Sequence, residues 1–253
     1  MYANFYNFGN AHGLCDFLKL CYCNFNKHLN NYDFICDYGP LMKCFKYTNN
    51  DIFLLKASDE LYNITDHDNK TKKQFIKLVE SKMSDELILK INELQLKYPY
   101  TFNAIHCRTG DQFTKIPNPD VRMKEHNMMD KIKLIQFNHN EKYILFTDSK
   151  ILKDMIRDDV YLKDIITLLD DDPIHVSYNI LEEDIEITAQ KALNTVAEFF
   201  LMTRARTIYS ILSYDNRFSN FSLFPAYLYN IPLYTIDNNN VIKIKDKFDD
   251  LFR

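Results

Sequence analysis

Between residues 101 and 236 the chain repeats one pattern, a short apolar run followed by a longer stretch at helical spacing. The runs are FNAIHC (102–107), KYILFTD (142–148), PIHVS (173–177), RTIYSI (206–211) and PLYTI (232–236). Runs this short and this continuously apolar read as strands buried on both faces. Helices between them imply a parallel sheet covered on both sides. The spacing predicts a helix from Asp148 or Ser149, either of which is an N-cap, to about Arg157. Further helices are expected over 184–204 and from about Phe221 to Tyr229. Right-handed crossovers between such strands give a Rossmann-like sheet.

The first hundred residues are less regular. Residues 13–27 carry apolar side chains at helical spacing, and two apolar pieces follow near Phe34–Cys36 and Ile52–Leu55. The stretch 71–97 is charged and amphipathic and reads as two helices, the second starting at Ser84 with Glu86 close behind. We therefore expect two parts, 1–100 and a more regular 101–253.

A chain of 253 residues can bury a sizeable core. Its net charge of −4 gives no reason to expect nucleic acid or an anionic membrane as partner. No window approaches a membrane span, and the opening MYANFYNFGNAHG lacks the order of a secretory signal. A cytoplasmic protein is the expectation. Five of the six cysteines, Cys15, Cys21, Cys23, Cys36 and Cys44, precede residue 45, and the sixth is Cys107. Their spacing matches no paired CxxC pattern, so buried thiols are expected rather than a zinc site.

Ligands of open parallel sheets bind beyond the carboxyl ends of the strands. HCRTGD (106–111) and TDS (147–149) both fall there, on one rim. Arg108 offers a planar fork suited to phosphate oxygens, His106 can donate to an oxygen or carry a proton, and Gly110 lets backbone approach a ligand. The plain alternative is a strand-end turn with an Arg108–Asp111 ion pair and a satisfied histidine. On pattern alone the two readings weigh alike. The later segment FSNFSLFPAYLY (218–229) starts a helix with Ser219 and Ser222. Those serines read either as caps or as part of a phosphate cradle at a helix N-terminus.

These segments together resemble the GDP-fucose-dependent α1,2-, α1,6- and protein O-fucosyltransferases. HCRTGD is similar to the H-x-R-x-G-D motif of that superfamily, and FSNFSLFPAYL to its S-x-F-S segment and following helix. YILFTDS is similar to its intervening strand ending in an aspartate, here Asp148, and NFGN (7–10) to a worn glycine-rich turn. The resemblance implies an α/β fold of GT-B type, with two Rossmann-like halves, 1–100 on the acceptor side and 101–253 binding the nucleotide sugar. It also implies an inverting transferase that needs no metal or other cofactor. GDP-fucose is the implied donor and a glycan hydroxyl the acceptor.

By the same resemblance Arg108 holds the β-phosphate, and His106 shapes the site or contacts the donor. Asp111 orders the loop or acts near the reacting sugar, and Ser219 and Ser222 contact the diphosphate. Gly110, Asp148 and Phe221 complete the donor site. A bacterial or viral source fits a chain without an anchor.

The chain also departs from that pattern. Thr109 stands where a second arginine is common, LFP replaces a tryptophan-rich turn, and the stretch from Ile208 to Ser219 is longer, which makes Ser213 a rival phosphate contact. These departures leave open another donor, such as a UDP-pentose, and a non-catalytic glycan- or nucleotide-binding module. The acidic run Asp170-Asp171-Asp172 carries the spacing of a metal-binding D-x-D, although an acidic loop accounts for it equally. Asp111 and Glu198 are the candidate proton acceptors, the latter also readable as a solvated helix residue.

Overall fold

The computed structural model describes residues 2–6, 14–28, 32–36, 43–46, 53–55, 69–108, 127–170, 185–212, 219–237 and 240–244. The chain divides into two compact units, Met1–Asn92 with Val176–Val196 and Lys247–Arg253, and Glu93–His175 with Ala197–Asp246.

In the first unit, strands β1 (Tyr2–Tyr6), β2 (Tyr32–Cys36) and β3 (Phe53–Leu55) form a parallel sheet in the order β2-β1-β3. Helix α1 (Leu14–His28) links β1 to β2. Its buried residues Leu14, Leu18, Cys21, Tyr22 and Phe25 recur at one-face spacing. Phe75 of helix α2 (Asn69–Lys82) packs edge-on to Tyr22, with ring centroids 5.3 Å apart, and lies 5.6 Å from Phe25. Helix α3 (Asp85–Lys97) starts where the sequence places it: the Ser84 hydroxyl accepts the Leu87 amide at 3.0 Å and donates to the Lys43 carbonyl.

The second unit holds a six-stranded sheet. Its strands are β4 (Phe102–Cys107), β5 (Lys142–Thr147), β6 (Ile166–Leu168), β7 (Thr207–Ile211), β8 (Leu233–Ile236) and β9 (Val241–Lys243). The order is β6-β5-β4-β7-β8-β9, parallel except for β9 against β8. Counted along the chain within this sheet, that is 3-2-1-4-5-6, the Rossmann order. The alternation of strand and helix is therefore observed as an α/β fold with a parallel-dominated sheet. The run PIHVS, expected as a strand, lies outside the described residues. Beside β5 lies Ile166–Leu168, three residues long and too short to show a period.

Helix α4 (127–133) and α5 (Lys150–Asp158) cover one face of this sheet. Met128, Met129, Ile132, Leu152 and Ile156 form a core there with Ile105, Cys107, Leu145 and Ile211. Helix α7 (Asn220–Leu228) covers the other face. It ends at Asn230, whose φ of 54° is the left-handed turn that closes a helix. The Ile231 amide then reaches the Ala226 carbonyl at 2.9 Å. The boundaries between the units fall within α3 and within helix α6 (Ile185–Met202).

Candidate functional site at the strand switch point

In the order 3-2-1-4-5-6 the chain reverses direction across the sheet between β4 and β7. In sheets of this order ligands bind beyond the carboxyl ends of the two strands at that point. The register puts His106 opposite Ser210 and Cys107 opposite Ile211 at that point. Because side chains alternate, His106 and Ser210 face α7, and Cys107 and Ile211 face the α4–α5 core.

His106 is buried and stacks on Phe221, with centroids 5.5 Å apart and planes 23° from parallel. Burial, and then the neighbouring Arg108, push its pKa down to about 3. The ring is thus neutral at physiological pH, with one nitrogen donor and one acceptor. Its Nδ1 has no hydrogen-bond partner among the described residues. Arg108 follows β4 directly and is exposed, so its side chain stands at the rim.

Ser219 is the N-cap of α7, accepting the Phe221 amide at 3.3 Å. The Ser219 carbonyl takes the amides of Ser222 and Leu223 at 3.2 and 3.1 Å. Ser222 is fully buried. Its hydroxyl meets that of Ser210 at 2.8 Å and donates to the Ser219 carbonyl at 3.1 Å. The hydroxyl of Ser222 therefore ties α7 to β7, while Phe221 ties α7 to β4. The first turn of α7, the positive end of its dipole, is fixed beside His106.

On the other face of the same strand ends lies a second polar group. Lys131 of α4 is 1% exposed, and its ammonium donates to the Leu212 carbonyl at 2.9 Å. Burial lowers its pKa, while Asp237, at the end of β8, and Cys107 pull it up. Burial and Asp148, at the end of β5, push the Cys107 thiol well up, opposed by Lys131. That thiol is protonated at neutral pH, which leaves Asp237 as the charge facing Lys131. Asp148 itself precedes Ser149, the residue that caps α5 by accepting the Leu152 amide at 3.1 Å.

Of the residues singled out in the sequence, the structure brings together His106, Arg108, Ser219, Phe221 and Ser222, with Asp148 along the rim. Gly110, Asp111, Ser213 and the turn NFGN lie outside the described residues. Glu198 is buried in α6, so the reading of it as a solvated residue is replaced. Asp170 pairs with Lys97. Among the described residues no group of three His, Cys, Asp or Glu side chains is placed to hold a metal.

Sequence reading missed Ser210 and Lys131. Lys131 left one signal: it sits on the stripe Met128-Ile132-Ile135, where a lysine is out of place.

No family model and no curated protein matches the chain. Solved structures do. The α1,6-fucosyltransferase NodZ co-crystallized with GDP superposes with a TM-score of 0.61 at 11% identity, over 96% of this chain and 97% of that one. NodZ soaked with GDP-fucose gives 0.60 at 11% identity, over 97% and 99%. Fucosyltransferase NodZ from Bradyrhizobium gives 0.60 at 11%, again over 97% and 99%. The chain has a divergent fucosyltransferase-like fold.

Proposed function

We propose that the protein is a glycosyltransferase that takes a sugar from a sugar nucleotide, with GDP-fucose as donor and a glycan hydroxyl as acceptor. The observation that carries this reading is the joint placement of His106, Arg108 and the first turn of α7 at the switch point of a Rossmann-ordered sheet. The fold likeness to fucosyltransferases crystallised with GDP and GDP-fucose supports the choice of donor.

The chemistry follows from what such a transfer needs. The acceptor oxygen attacks the anomeric carbon while the bond from that carbon to the diphosphate oxygen breaks on the opposite face, which inverts the centre. The leaving diphosphate gains negative charge, so useful groups are those that bind it more strongly as the bond breaks. Arg108 supplies a charged fork for its oxygens, and the dipole end of α7 adds to it. Neutral His106 offers a hydrogen bond without a proton to lose at neutral pH, fixed in place by its stack on Phe221. Ser219 and Ser222 hold the helix start in register; a donor oxygen reaching α7 meets the Ser219 end. The acceptor proton passes to a carboxylate, for which Asp111 on the segment after Arg108 is our candidate. Arginine and a helix end can carry this charge without a metal.

Incubation with radiolabelled GDP-fucose and a panel of other sugar nucleotides, a UDP-pentose included, tests the reading in the presence of mixed oligosaccharide acceptors. Release of GDP with label appearing on glycan is the expected result. Turnover of a different nucleotide sugar reassigns the donor. Binding of GDP-fucose with no transfer and no hydrolysis makes the protein a binding module and overturns the proposal.

A further inference from the structure

Lys131 is a buried charge that the transfer chemistry above does not use. A lysine side chain is almost never fully buried unless something specific holds it. Burying its charge is costly without a partner. Here it lies beneath the ends of the four central strands. The Leu212 carbonyl, just past β7, takes its hydrogen bond at 2.9 Å. Asp237, just past β8, is the charge that faces it, and Cys107, the last residue of β4, lies near it as a neutral thiol. Asp148, just past β5, acts on the same Cys107. The four groups come from strands adjacent in the sheet order β5-β4-β7-β8.

The end of β7 is thus gripped from both faces. On one, Ser210 bonds Ser222 and so holds α7; on the other, the ammonium of Lys131 holds the next carbonyl but one along the same strand. The core around Lys131 is apolar, with Met128, Ile132 and Ile211, and would accept a leucine or methionine with less desolvation cost. A cation in that place makes sense as a device for fixing the height of the rim rather than for adding stability.

We propose that Lys131 is a positioning residue of the donor site: from beneath the sheet it fixes where the chain leaves β7, and so where the start of α7 stands against His106. This rests on the sugar-nucleotide reading of the rim.

The test compares the full chain with Lys131→Met, which keeps length and loses charge, and with Lys131→Arg, which keeps charge. Two measurements are made on each: site-resolved amide exchange without ligand, and GDP binding by calorimetry. Exchange is expected to rise about tenfold at Leu212, Phe221 and Ser222 in K131M, with Ile144 and Leu145 of β5 unchanged. GDP affinity is expected to fall about tenfold in K131M and to return to within about threefold of the parent in K131R.

Equal acceleration at the β5 amides marks a merely structural role and overturns the proposal. So does unchanged GDP affinity in a folded K131M. Should K131M not fold, Lys131→Gln, which retains a neutral donor, carries the same comparison. If the parent protein itself binds no GDP, the sugar-nucleotide reading has failed, and the exchange data alone then decide Lys131: unchanged exchange at Leu212 and Phe221 overturns its part.

Discussion

The hydroxyls of Ser210 and Ser222 meet at 2.8 Å inside the protein, one on the strand β7 and the other in the first turn of α7. Both are buried, and since Ser222 also donates to the Ser219 carbonyl, it is Ser210 that depends on the pair for its bond. Removing one partner leaves the other desolvated, a cost of about 1–3 kcal/mol. Ser222→Ala is therefore expected to lower unfolding stability by that amount in urea melts. Replacing both serines by alanine removes the stranded group as well, so the double variant should lose less than S222A alone. A double variant that loses the sum of the two single losses would show that the pair is not what holds α7 to β7.

Arg108 stands exposed at the rim, and its removal should touch chemistry and not folding. Arg108→Ala is expected to cost about 2–4 kcal/mol of transition-state stabilisation, read as kcat/KM for the sugar nucleotide. Its unfolding free energy from urea melts should stay within about 0.5 kcal/mol of the parent. Full activity in R108A would remove the residue from the diphosphate.

His106 makes a pH prediction whose sign can be worked out. Its folded pKa is about 3, below the ordinary value of 6.5, because burial and Arg108 disfavour the charged ring. Between those values the unfolded chain binds a proton that the folded chain refuses. Stability should therefore be fully present above about pH 6.5 and decline as pH falls towards 3, by about 1.4 kcal/mol per pH unit from this group. His106→Phe keeps a flat ring over Phe221 and cannot titrate. Chemical denaturation at pH 6, 5 and 4 should show the parent losing stability relative to the variant as pH falls. Parallel curves would mean that His106 is protonated in the folded protein.

Metal dependence separates two mechanisms. If Arg108 and the α7 dipole carry the leaving-group charge, transfer should be unchanged in a large excess of EDTA. Loss of transfer restored by Mg²⁺ or Mn²⁺ would instead favour the Asp170-Asp171-Asp172 run, of which Asp171 and Asp172 lie outside the described residues, as a ligand set.

The fold was legible because its signal is local. FNAIHC, RTIYSI and PLYTI are short, apolar and separated by stretches of different period, and burial on both faces of a parallel sheet demands that pattern. Helix starts were legible at Ser84, Ser149 and Ser219 because the capping hydroxyl sits within three residues of the amide it accepts. Helix α4 (127–133) and the three-residue strand at Ile166 escaped notice. The first lies amid a long polar stretch, and the second is shorter than any period it needs to display.

The site divided along the same line. Arg108 and His106 could be placed on the rim from the strand that precedes them. Which partners meet them could not. Ser210 finds Ser222 only because α7 returns across β7, and Lys131 finds Leu212 and Asp237 across 81 and about a hundred residues of chain only because β4, β7 and β8 lie side by side.

By itself, then, the sequence determined the class of sheet, the residues at its strand ends and the rim on which a ligand would sit, since each depends on neighbours a few positions away. Tertiary structure alone decided that Ser222 is a clamp within the fold, that His106 is neutral under Phe221, and that a buried lysine underlies the rim. Those properties arise from desolvation and from contacts made across the order of the strands, which no local stretch of chain contains.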